Sequence, residues 1–268
     1  MKTGKLSYYR DLTVVLLSKE FKTRYKSTFL GYAWSLLNPL MFAAVFFLIF
    51  SIIVRIKTDV PYPLFLITGL FPWQWFTNSV NASNLFFLGN STLIKKVRFP
   101  REFLVFSGVL SDMIHFVISI PVIVLFMLYY HYFPAEGFAA TDFPSLHWLW
   151  QVPLLVAVQF LITQGLALFV ATVNLFFRDL ERLTTLLTLL WFYLTPVIYP
   201  PELAAEKGYG WMLYANPMAS LIVCWRSAFL EGTLRGDLLA VAAGFAVVIF
   251  LAGYQLYRSL EWRFAEIV

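Results

Sequence analysis

The chain has 268 residues, of which 60% are hydrophobic, 19% aromatic and only 13% charged, and its mean hydropathy is +0.74. An average soluble domain is about one quarter charged, so the composition excludes a water-soluble globular protein and makes the bilayer part of the solvent. The net charge of +5 does not point to nucleic acid, because the cations cluster between apolar runs, and the single cysteine, Cys224, excludes an internal disulfide and a four-cysteine metal site.

The chain opens on a basic start without an apolar core and a small-residue cleavage site, so no cleaved signal peptide is expected. Leu6 to Phe21 contains no helix breaker, and its apolar residues run around the helix rather than along one stripe. A helix lying in the membrane interface is one reading of it. "KEFKTRYK" follows, with Lys19, Lys22, Arg24 and Lys26. These cations mark an inner loop, or they contact anionic headgroups or the phosphates of a lipid-linked substrate. Residues 1–26 are therefore set apart from a transmembrane domain over 27–268.

Stretches poor in charge predict an all-α, polytopic protein with six spanning helices, near 30–54, 64–89, 103–131, 150–177, 183–199 and 238–257. A further apolar stretch at 208–231 is cut by Asn216-Pro217 and predicts a broken, re-entrant hairpin before the last span. With six spans, fifteen Lys and Arg fall on the side that holds both termini and five on the other. That bias puts both termini in the cytoplasm. The connections assigned to the outside, "YFPAEGFAATDFPS" and "YPPELAAEKGYG", are rich in Pro, Gly and acid. No repeat or soluble domain is evident.

Reactive constellations are scarce. The phosphate-binding pattern GxxxxGK[ST] is absent, as are HExxH and any clustered His/Cys/Asp pattern. Asp112 and His115 share a face of the third span at i and i+3. They pair with each other or with a neighbouring helix, or they carry a transport or catalytic role. Arg178-Asp179-Leu180-Glu181-Arg182 forms a short inner loop, either a solvated turn or a contact for a cytoplasmic partner.

The loop after span two reads "NSTLIKKVRFPRE". Asn90 or Ser91 suits a helix cap. Leu93, Ile94 and Val97 supply an apolar contact, and Lys95, Lys96 and Arg98 supply positive charge. Pro100 is expected to stop the helix, predicted over 91–98. An ordinary basic inner loop accounts for the same residues.

"FKTRYKSTFLGYAWSLLNPL", "LIKKVRFPRE", "NLFFRDLERL", "LTPVIYP" and "ANPMASLI", in this order along the whole chain, resemble the ABC-2 family of transport permeases. Within it they are most similar to exporters of O-antigen, teichoic acid and capsule. The resemblance implies a bacterial inner-membrane transport subunit that is not itself an enzyme. It works as a homodimer with a separate ATPase subunit in two copies, which binds ATP and Mg so that this chain carries no cofactor. It implies that the 91–98 helix, with Ser91, Leu93, Ile94, Lys95, Lys96, Val97 and Arg98, and Pro100 after it, couples to that ATPase, with Arg178 and Asp179 in the second inner loop. The 208–231 hairpin corresponds to an external gate, and the N-terminal helix to an interface helix where the lipid substrate enters. Spans one and five line the conduit in such exporters, which makes Phe42, Phe46, Phe47, Phe50, Trp191, Phe192 and Tyr193 candidates for stacking on sugar rings. Lipid-facing or interfacial aromatics are the alternative. The implied substrate is a lipid-linked polysaccharide, most similar to O-antigen. An exporter of teichoic acid, capsule, a drug or a lipid is one rival. A transferase acting on lipid-linked sugars, using Asp112 and His115, is another.

Overall fold

The computed structural model describes residues 3–25, 31–135, 138 and 145–267, and within them every regular element is a helix. Helix α1 (Thr3–Tyr25) leads to α2 (Trp34–Phe46), which continues as a π-helical segment over Phe47–Ile53. Then come α3 (Tyr62–Phe86), α4 (Ser91–Lys96), α5 (Glu102–Tyr132) and α6 (Trp148–Phe176). The chain closes with α7 (Leu180–Leu194), α8 (Pro201–Glu206), α9 (Met212–Ala215), α10 (Pro217–Leu230), α11 (Gly236–Leu260) and α12 (Phe264–Ile267). Lys26 and most of the connection at 132–145 lie outside the described residues.

Four helices among the described residues are long and apolar enough to cross a membrane, over Leu36–Ile53, Glu102–Tyr132, Trp148–Phe176 and Gly236–Arg263. Helix α3 has the length, 25 residues, but Gln74, Thr77, Asn78 and Asn81 dilute its apolar character. Helix α7 has 15 residues, about 22 Å at the helical rise, less than the roughly 30 Å of a hydrocarbon core. It starts earlier and stops earlier than the 183–199 expected from charge spacing. Thr195 is extended there (φ −107°, ψ 135°), because the following Pro196 disfavours helical geometry in the residue before it.

Two helices form the centre. Every residue from Leu64 to Trp73 of α3 is buried, and so is every residue from Pro217 to Phe229 of α10. Helices α5, α6, α7 and α11 pack around them, and α2 leans on α3. Arg226 sits on buried α10, so it is not the outer-loop cation that its charge alone suggests. Its guanidinium donates to the carbonyls of Pro196 and Val197 at 3.1 Å each and stacks on Phe65 at 3.6 Å.

A second, separate cluster closes one end. It joins Leu16 of α1, Phe86 and Phe87 after α3, Ile94 of α4, Leu104 and Val105 of α5, Leu175 of α6, Tyr257 of α11 and Phe264 of α12. Tyr257 is fully buried, and its hydroxyl donates to Glu102 Oε2 at 2.8 Å. Arg101 donates to the Glu261 carbonyl at 2.8 Å. The N-terminal helix, the basic loop and the C-terminal residues thus share one end of the molecule.

The most extensive helix pair, α6 with α11, closes on glycines. A Cβ on Gly165 would lie 2.5 Å from Phe250 Cα, and one on Gly253 would run into the Gly165 carbonyl. Neither obstacle is a side chain that can swing away. Gly253→Ala is expected to destabilise the protein by about 1–3 kcal/mol through overpacking. Thermal unfolding in detergent checks this, with Gly244→Ala, where a Cβ meets open space, as the neutral control.

Candidate functional site

The basic loop is stiffly mounted but differs in detail from expectation. Asn90 occupies the cap position of α4 without capping it. Its amide nitrogen donates to the Phe86 carbonyl at 2.8 Å, and its oxygen accepts from the Lys19 ammonium of α1. Helix α4 ends at Lys96, with Val97 extended (φ −125°, ψ 135°). Pro100 therefore does not stop it, since its steric effect reaches only Phe99. Instead the Pro100 carbonyl accepts from Phe103 at the start of α5. Ile94 is buried in the end cluster, so it anchors the helix rather than offering itself outward. Leu93 and Ser91 are half-buried, while Lys95, Lys96, Val97 and Arg98 are exposed. These exposed residues line a cleft of about 550 Å³ with Arg101. Lys95 and Lys96 also occupy the last turn, where cations complement the helix dipole. Arg178 and Asp179 are exposed on another cleft, of about 760 Å³.

The N-terminal cations divide. Lys22 is exposed, whereas Lys19 and Arg24 are half-buried and turned inward. Arg24 pairs with Asp112 of α5, which is only 2% exposed and also accepts from Ser79 of α3 at 2.8 Å. His115, one turn on, meets the Phe21 ring edge-on at 5.3 Å. Asp112 and His115 thus engage a neighbouring helix, one of the two structural readings of the pair. Burial raises the Glu20 carboxyl above its ordinary value, and the nearby Lys19 and Arg24 oppose that shift.

Two chambers open beside α3. The first, about 460 Å³, contains Arg24, Asp112 and His115 with Ser119. The second, about 400 Å³, has an aromatic wall of Phe42, Phe46, Trp73, Phe192 and Tyr193. Phe46 links Phe42 at 6.4 Å to Phe192 at 5.7 Å, and Phe192 meets Tyr193 edge-on at 5.3 Å. So four of the seven conduit candidates line one groove. Phe47 and Phe50 pack on the central core, and Trp191 turns away to donate to Asn216 Oδ1 at 2.8 Å. Both chambers share Asn38 of α2 and Gln74, Asn78 and Asn81 of α3. Aromatic content alone missed these amides. The signal was present as "QWFTNSVN", amides at i, i+4 and i+7 inside an apolar stretch.

Removing one member of the Arg24–Asp112 pair leaves a buried charge without its counter-ion. Arg24 is 30% exposed, which softens the penalty to about 2 kcal/mol for Arg24→Ala. Asp112→Asn in that background should recover part of the loss. Unfolding of the two single variants and the double variant in detergent measures this coupling.

Comparison with known proteins agrees with this architecture. The profile for "ABC-2 type transporter" matches residues 11–230. An O-antigen export system permease protein RfbA of Klebsiella pneumoniae is 41% identical over 98% of this chain and 97% of its own length. The RfbA permease of Myxococcus xanthus is 33% identical over the same shares. The polysialic acid transport protein KpsM of Escherichia coli is 25% identical over 92% of each chain. With a family match over most of its length and full-length relatives above 30% identity, the chain belongs to the ABC-2 type transporter family.

Proposed function

We propose that this chain is the membrane subunit of an ATP-driven exporter for a lipid-linked polysaccharide of the O-antigen kind. Relatives named for O-antigen export span nearly the whole chain, and one named for polysialic acid transport is more distant. ATP and Mg bind in a separate ATPase subunit, two copies of which serve a homodimer of this chain. Six passes result if α3 and α7 cross beside the four longer helices, with both termini in the cytoplasm. Helices α9 and α10 then form the re-entrant element over 208–231 on the outer side, with α10 too short to cross at 14 residues. The domain division at residues 26 and 27 follows from the same scheme.

One observation carries the coupling assignment. Helix α4 presents Lys95 and Lys96 outward, with Arg98 exposed just beyond its end, while Ile94 locks it to parts of α1, α3, α5, α6, α11 and α12. A push on α4 from the ATPase therefore has no slack through which to dissipate. Arg178 and Asp179 offer a second contact. Phe42, Phe46, Phe192 and Tyr193 line the conduit, and Lys22 with Lys26 meets headgroup phosphate. A transferase is disfavoured because Asp112 is already engaged by Arg24 and Ser79.

Changing Lys95, Lys96 and Arg98 together to Glu should abolish co-purification with the ATPase subunit and surface glycan, while the permease still accumulates in the membrane. Full recovery of complex and glycan by this triple variant overturns the coupling assignment.

A further inference from the structure

Helix α3 is enclosed along its first half, yet from its midpoint one face is polar and open. Gln74, Asn78 and Asn81 form a stripe about 10 Å long on that face. Asn38 of α2 borders the same two chambers. Asn38 and Asn78 are exposed, and Gln74 and Asn81 are half-buried. Among the described residues, the side chains of Asn38, Gln74 and Asn78 make no hydrogen bond, and Asn81 accepts one from Thr188 at 3.3 Å.

This placement has a physical consequence. The stripe begins at the middle of a 25-residue helix, where the surroundings of a membrane protein are hydrocarbon, protein or an enclosed wet space. An amide without a partner in hydrocarbon loses several kcal/mol. The face with the amides therefore does not meet lipid tails. A wet space satisfies these amides, as does a polar molecule passing through it.

The chemistry narrows what passes. A carboxamide both donates and accepts, as a sugar hydroxyl does. It carries no charge, so it neither selects an ion nor holds a neutral ligand as tightly as a charge-assisted bond would. Across the groove stand Phe46, Phe192 and Tyr193, whose faces suit the C–H face of a pyranose. Thr185 and Thr188 add hydroxyls on the same wall. Amides on one side and rings on the other make a carbohydrate cradle. Each contact in it is individually weak, of about 1 kcal/mol, so a chain can advance through it by exchange.

We propose that Asn38, Gln74, Asn78 and Asn81 form a hydroxyl-binding track for the carbohydrate part of the exported molecule. The track rests on the reading of the chain as a glycan exporter. It sits between the charged chamber of Arg24 and Asp112 and the aromatic wall, so that one molecule can lie against both.

The test uses the full permease with its ATPase subunit, in cells whose own copy is deleted. Gln74→Leu with Asn78→Leu should slow the appearance of surface glycan about tenfold, the loss expected for one or two hydrogen bonds. Asn78→Gln, which keeps the carboxamide, should stay near the wild-type rate. Basal ATPase activity and assembly of the purified complex should be unchanged in both variants. A second measurement reads the wetness directly. In membrane vesicles, Asn78→Cys should react with a water-soluble maleimide about tenfold faster than Val248→Cys on the exposed side of α11, because thiolate forms only in water. The native Cys224 is buried, so the background is low. Wild-type export by the double Leu variant overturns the track. So does slow labelling of Asn78→Cys, which assigns the stripe to a dry contact with lipid or a second copy. Absence of surface glycan with the wild-type pair overturns the export reading, and the track with it.

Discussion

Hydrocarbon offers a peptide group no hydrogen-bonding partner, and the interior of this protein is arranged around that constraint. Its described regular structure is helical because a helix pairs its own backbone. The interesting places are those where a helix stops inside the bundle. At Asn216-Pro217 the break is closed by one side chain. Asn216 Oδ1 accepts from Met218, Ala219 and the Trp191 indole, and its nitrogen donates to Thr195. At the end of α7 the released carbonyls of Pro196 and Val197 are taken up by Arg226. The Tyr62 hydroxyl serves the Ile198 carbonyl at 2.6 Å. Among the described residues Arg226 has no paired carboxylate, and its structural role is that of a clamp on backbone oxygens.

The two hydrophobic clusters divide the labour. The central one holds α3 and α10 against the surrounding helices. The end cluster ties the basic loop to the N- and C-terminal elements through Ile94, Phe87, Tyr257 and Phe264. Hydrogen bonds at its rim, from Tyr257 to Glu102 and from Arg101 to Glu261, fix α11 to the start of α5. Motion imposed on α4 is therefore shared from the outset between the second, third and last long helices.

Much of this was legible from residue order. Charge gaps located the long helices at 103–131, 150–177 and 238–257 to within a few residues of α5, α6 and α11. Clustered cations located the exposed basic loop. What escaped were features set by side chains meeting across the fold. Charge counting treats every Arg alike, so it could not separate buried Arg226 from a loop cation. Cap chemistry named Asn90 but not the Lys19 and Phe86 groups that compete for its amide. A list of aromatics could not distinguish Phe192, which faces the groove, from Trp191, its neighbour on the helix, which does not. The amide row was periodic and visible, but an apolar threshold registers it only as a weak span.

The glycine notch between α6 and α11 bears on which parts are free to travel. Backbones in direct contact at Gly165 and Gly253 have no layer of side chains to slide on, so these two helices behave as a single fused post. Helix α2 is different. It rests mainly on α3, and its outer face is bare. Its π-helical end, Phe47–Ile53, carries a winding that can relax to the ordinary helical one. Helix α7 is likewise exposed along most of its length. Two of the helices that bear the aromatic wall, α2 and α7, are thus bound less to the post than α3, α5 or α10. The width of the groove between them is the dimension of this fold that changes with the least repacking.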